Sequence, residues 1–289
     1  MTAPSKLCTR TGFVALALTL IAAPTATRWQ AIHAAINARL AAEGAGHRLA
    51  AVELASWRSV VNKPVKTPKL DFVPADPRRQ ERVDLTWAVD TVDLTSGVPP
   101  AAALGAIADA LLPFLSERCA DGLVLTPVTP AETVDLGDLE RQLLGLPTSP
   151  RVADLTHAGW MPAAFFDHFS IHGSTSILAV TASFVFVDAN GHPTDVDGNG
   201  ALDVSHRETY YNDSFDWSTV GLGVDVGTVA LHETAHLFGL DEVAATLAPG
   251  SDPELLEPHP ADVYAGPEQQ LPARMRASFC ANWRHWPDR

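Results

Sequence analysis

The stretch "DVGTVALHETAHLFG", residues 225–239, constrains this chain more than any other. Val226, Val229, Ala230 and Leu237 supply apolar surface at helical spacing, and Leu240 extends it. Asp225 stands where an N-cap would, and Gly239 where a helix closes into a left-handed turn. Such a helix belongs against a core, yet it carries His232, Glu233 and His236. Residues four apart share one helix face, so the two imidazoles can hold a single cation. Glu233 lies beside the first histidine, where a carboxylate can take a proton from water instead of binding the ion. The competing reading is a surface helix with two solvated histidines.

Around this helix the chain mixes helical and extended signals without regular alternation, which favours an α+β fold. "VDLTWAVD" alternates as a strand does, and "STSILAVTASFVFVDANG" is a β-rich run ending in a turn. "TYYND" begins or finishes another strand. "PPAAALGAIADALLPFLSERC" opens on helix-entrance prolines, and Pro113 is expected to kink or divide its helix. Residues 126–151 read mostly as loop. Upstream, the Ala-rich segment 29–61, with "WQAIHAAINARLAAEG" closed by Gly44, reads as an amphipathic helix outside the main domain. "NKPVKTPKLDFVPADPRRQER" then reads as a linker or an extended wrap, with a boundary near Glu81.

Composition bounds the partners. The chain has 289 residues, 46% apolar and 19% charged, which describes a globular protein of one large or two small domains. Its formal net charge of −14 argues against a nucleic-acid partner. Lys6 and Arg10, an apolar run from Phe13 to Ala23 and then small residues follow the order of a secretory signal peptide, placed at 1–26. The expected product is a secreted or periplasmic monomer with no stable membrane association after cleavage. Cleavage also removes Cys8. The remaining pair, Cys119 and Cys280, can form one disulfide in an oxidising compartment; two buried thiols are the alternative.

"TDVDGNGALDVSHRE" sets Asp195, Asp197, Asn199 and Asp203 around Gly198 and Gly200. Alternating oxygen side chains with a glycine at the sixth position match the first half of a calcium loop. The twelfth position is His206 rather than glutamate, and Glu208 comes two residues late, so the loop is not an EF-hand. A calcium-binding turn and a β-turn held by side-chain to backbone hydrogen bonds both fit.

"HETAHLFGLDE" resembles the active-site motif of metzincins, above all the matrixin-like group. The wider stretch from "FVFVDANGHPTDVDGNG" through "YYND" to the helix, and the ending "FCANWRHWP", resemble secreted bacterial matrixin-like proteins. The likeness covers Phe184 to Phe238 and the last dozen residues, and is looser over 81–183. It implies a metzincin-like catalytic domain at 81–289, with a twisted mixed sheet and two main helices. An N-terminal helical extension and linker at 27–80 precedes it. It also implies a zinc endopeptidase acting on a protein or peptide laid along an edge strand. His232 and His236 would bind zinc and Glu233 would be the general base. The family's third histidine, three residues past the glycine, is Glu242 here, and a carboxylate is a competent zinc ligand. The family also has a methionine turn. Met275 is the only methionine after the helix, whereas "HPADVYAGPEQQ" is better placed for that turn and has none. The alternative is a catalytically degenerate secreted binding module of the same fold.

Overall fold

In the computed structural model of the protein, the described residues are 25–56, 69–90, 97–128, 137–220, 223–240, 271 and 273–288. Among them a mixed sheet is flanked by helices on both faces, an α+β arrangement. Its principal strands are β1 (His47–Ser56), β3 (Leu85–Val89), β4 (Leu125–Pro127), β5 (Leu155–Met161), β6 (Ile177–Phe186) and β7 (Leu202–Asn212). Across the sheet they lie in the order β1, β6, β7, β5, β3, β4, and β2 (Leu70–Asp71) pairs with β7 off this path. β3, β4, β5 and β7 are mutually parallel, while β6 is antiparallel to both β1 and β7.

Side chains alternate across each strand, and β7 shows the consequence. Tyr210 packs with Phe165, Phe184, Ile36 and Leu40 on one face, where α1 (Thr25–Ala42) lies. Tyr211 packs with Trp160, Trp217 and Val229 on the other. That second face is covered by α2 (Pro100–Leu115) and by α6 (Val226–Leu237), the helix of the histidine motif. All ten residues of β6 are buried, as a strand with helices on both sides requires.

The N-terminal segment departs from expectation. It forms α1 as expected but then continues as β1, hydrogen-bonded along β6 from His47 opposite Phe186 to Ser56 opposite Ile177. The extension therefore supplies a strand to the main sheet as well as a helix. "HRLAAVELAS" is rich in Ala and Leu, which serve either period, and only the exposed edge of β6 selects the strand. The expected linker is a wrap where it is described. Its Arg79 is 1% exposed and pairs with Asp154 through Nε at 3.0 Å and Nη2 at 3.1 Å.

Three local readings also change. α2 runs through Pro113 undivided, because the proline falls in its last turn. Residues 126–151, expected to be mostly loop, include β4's end and a short helix, α3 (Asp138–Leu144), among the described residues. Between β5 and β6 lie two four-residue helices, α4 (Ala163–Phe166) and α5 (Gly173–Ser176). At the C-terminus α7 (Ala273–Trp283) carries Met275, buried among Phe238, Leu240 and Phe279 within a helix rather than a turn. Cys119 and Cys280 are joined, with Cα atoms 5.4 Å apart, which ties the segment after α2 to α7. Among the described residues no helix is long and apolar enough to cross a membrane, and residues 1–24 of the expected signal segment lie outside them.

Candidate metal centre

Asp225 caps α6 as expected, its Oδ1 accepting from Thr228 N at 2.7 Å. At the other end Gly239 has φ +77°, and the amides of Gly239 and Leu240 return to the carbonyls of His236 and Ala235. This is a glycine-closed helix end. Arg207 of β7 donates to the carbonyls of His236 and Leu237 at 3.1 and 2.7 Å. A guanidinium there satisfies carbonyls that end the helix and sits well in the helix dipole. A side chain at position 239 would strike that guanidinium, its Cβ falling 2.9 Å from Nη1.

His232 and His236 meet through their Nε2 atoms, 3.2 Å apart. Two zinc–nitrogen bonds of about 2.05 Å at a tetrahedral angle span about 3.3 Å, so this pair fits one such ion. The tautomer is set by a backbone group. His236 Nδ1 lies 2.9 Å from Leu240 O, and a carbonyl only accepts, so Nδ1 carries the proton and Nε2 the lone pair. Burial, reinforced by neighbouring His232, pushes the His236 pKa down to about 3, which keeps the ring neutral.

Glu233 is fully buried and faces the sheet, where Thr181 of β6 donates to its Oε2 at 2.5 Å. Thr209 of β7 lies 2.7 Å from the same threonine hydroxyl. Opposite Thr181 on β1 stands Glu53, whose Oε2 is 3.9 Å from His236 Nδ1. The edge of β6 beside this helix is taken by the chain's own β1, and none of the three motif residues is more than 5% exposed. Glu242 lies outside the described residues, as does "HPADVYAGPEQQ". Neither Glu53 nor Thr181 was visible as a site residue in the sequence, since each lies at least fifty positions from the motif.

Of the acidic loop, the structure gathers the carboxylates of Asp195, Asp197 and Asp203, and Asn199 lies in hydrogen-bond contact with the first two. Asn199 turns its Oδ1 to Ala201 N at 2.7 Å and its amide to Asp71 and Asp197. Asp195 accepts from the amides of Asn199 and Gly200, and Asp203 accepts from Arg78 at 2.7 Å and Thr194 at 2.5 Å. His206 and Glu208 do not belong to this loop but to β7. His157 is buried, its Nδ1 2.7 Å from the Tyr211 hydroxyl, and burial lowers its pKa to about 3. The sequence matches no protein-family model, and no curated protein is significantly similar to it.

Proposed function

We propose that the protein is an extracytoplasmic zinc-dependent endopeptidase whose described conformation is closed by its own N-terminal strand. The convergence of His232 and His236 Nε2, with Glu233 adjacent on the same helix, carries this reading. His232 and His236 would hold the ion, and Glu242 is the proposed third donor. Zinc, when bound, acidifies water and offsets negative charge that develops on a peptide carbonyl. Glu233 accepts the proton of the attacking water and returns it to the leaving amine. Thr181 holds one oxygen of Glu233, which orients the other. An extended substrate would have to replace β1 as the antiparallel neighbour of β6.

The full-length chain, reconstituted with zinc, is expected to cleave members of an unstructured peptide library and to stop when a chelator is added. Glu242→Ala should lose zinc while Asp241→Ala retains it. No cleavage by zinc-replete protein would refute the protease and leave the second reading, a non-catalytic binding module. That reading is favoured by the burial of Glu233 against Thr181 and by the occupied edge.

The Asp195–Asp203 loop is proposed to take calcium through Asp195, Asp197, Asn199 and Asp203. Millimolar calcium should then raise the melting temperature by a few degrees through binding to the native state. Asp197→Ala should abolish the rise. An unchanged melt would leave a turn held by its own hydrogen bonds.

A further inference from the structure

On the sheet face opposite α6, three elements bring metal-binding side chains together. His47 begins β1, Asp138 begins α3, and His206 lies on β7. Their nearest donor atoms all lie within 4.8 Å of one another. Asp138 Oδ2 is 2.9 Å from His47 Nε2 and 3.6 Å from His206 Nε2, and Glu208 Oε1 is 3.4 Å from His206 Nε2. Donors around one tetrahedral ion with bonds of about 2.0–2.1 Å stand about 3.3 Å apart. A cavity of about 10 Å³, bordered by Asp138, His206 and Glu208, adjoins them, the space of a single water or ion.

The cluster is poorly explained as a hydrogen-bond network. His47 Nε2 is buried and makes no hydrogen bond of acceptable direction, although Asp138 is near. The approaches to His206 Nε2 are longer than hydrogen bonds. Two carboxylates are buried together, and the arginine beside them is otherwise engaged. Arg151 donates to the carbonyls of Ser205 and Arg78. Two imidazole nitrogens facing one buried carboxylate oxygen, with a second buried carboxylate beside them, are a donor set that suits a divalent cation.

The donors are also held in place from behind. Asp138 Oδ1 accepts Ser149 N at 2.8 Å, which presents Oδ2 to the imidazoles. His206 has Ser205 Oγ 3.1 Å from its Nδ1 and lies stacked on Phe184, ring centroids 4.5 Å apart. Glu208 accepts the amides of Asp138 and Leu139 and the Tyr210 hydroxyl, so it fixes the start of α3 beside the site. Such supporting contacts are characteristic of metal sites.

We propose that His47, Asp138 and His206, with Glu208 beside His206, form a second divalent-metal site of zinc type. Its two imidazole donors select zinc over calcium or magnesium. Because His47 starts β1, the ion clamps the N-terminal strand onto the sheet. The site is independent of the endopeptidase reading and of His232 and His236.

The test uses the full-length His232→Ala/His236→Ala protein, dialysed against zinc and then against metal-free buffer. One equivalent of zinc should remain by elemental analysis, and cobalt(II) should give the visible absorption of a tetrahedral nitrogen–oxygen site. Adding His206→Gln should remove that equivalent. Adding His47→Gln instead, at the edge strand where folding is least at risk, should weaken zinc binding at least about tenfold. In calcium-free buffer, chelator should lower the melting temperature of the zinc-loaded double variant but not of the variant that also carries His206→Gln. Absence of retained zinc in the double variant, or retention unaffected by both His206→Gln and His47→Gln, would overturn the site.

Discussion

Glu233→Gln is expected to reduce peptide cleavage by at least about a hundredfold while leaving zinc content unchanged. The carboxylate lies next to His232 in sequence but outside the Nε2–Nε2 pair, and its contact is with Thr181. Glutamine has the same shape, and its amide oxygen can accept the Thr181 hydrogen bond, so the buried helix should keep its packing. What disappears is the group that takes and returns the proton. The measurement is turnover of a library-derived peptide by matched, zinc-replete preparations, with elemental analysis of each. Undiminished turnover in metal-replete Glu233→Gln would show that the base lies elsewhere. Equal loss of zinc and activity would make Glu233 a determinant of metal binding instead.

Asp154→Ala should destabilise the fold by about 3–5 kcal/mol, because it strands the Arg79 charge in the interior. Asp154 is 3% exposed and accepts from Arg79 and from the amide and hydroxyl of Thr86. Burial alone would raise its pKa, but the hydrogen bonds and charge of Arg79, aided by Thr86, bring it below the ordinary carboxylate value. A depressed folded-state pKa contributes stability that is complete above the unfolded value of about 3.9. That contribution is lost as pH falls through the lower folded value. Denaturant midpoints should therefore differ widely at neutral pH and converge in acid. Replacing both partners, as in Arg79→Met/Asp154→Leu, should cost less than Asp154→Ala. A midpoint for Asp154→Ala within error of the parent would show that the pair does not stabilise this fold.

The residues legible in advance share one property. His232, Glu233, His236, Asp225 and Gly239 are related through a single helix, so spacing alone places them on a face, at a cap or at a turn. The run 177–186 was legible for a similar reason, since a long β-rich stretch ending in a turn signal has few other uses. The acidic loop was legible only as a list of oxygens. Asn199 was placed there by position, and its oxygen also accepts the Ala201 amide.

What stayed hidden depends on pairing between distant segments. Glu53 reaches His236 only because β1 adds to the edge of β6, and "HRLAAVELAS" has no strong period of its own. Thr181 is an unremarkable strand residue until the strand's face is assigned. Asp138 and His206 are 68 positions apart by their numbers, and His47 is 91 before Asp138, so no local pattern links them. By itself the sequence determined an apolar, N-capped helix bearing two imidazoles and a carboxylate, the strands before it, and an acidic net charge. The tertiary structure alone decided that β1 covers the edge beside that helix and that a second cluster forms behind the sheet. Helical and strand periods are encoded over a few residues, whereas sheet order and edge occupancy are settled by burial and hydrogen bonding between parts of the chain that carry no mark of each other.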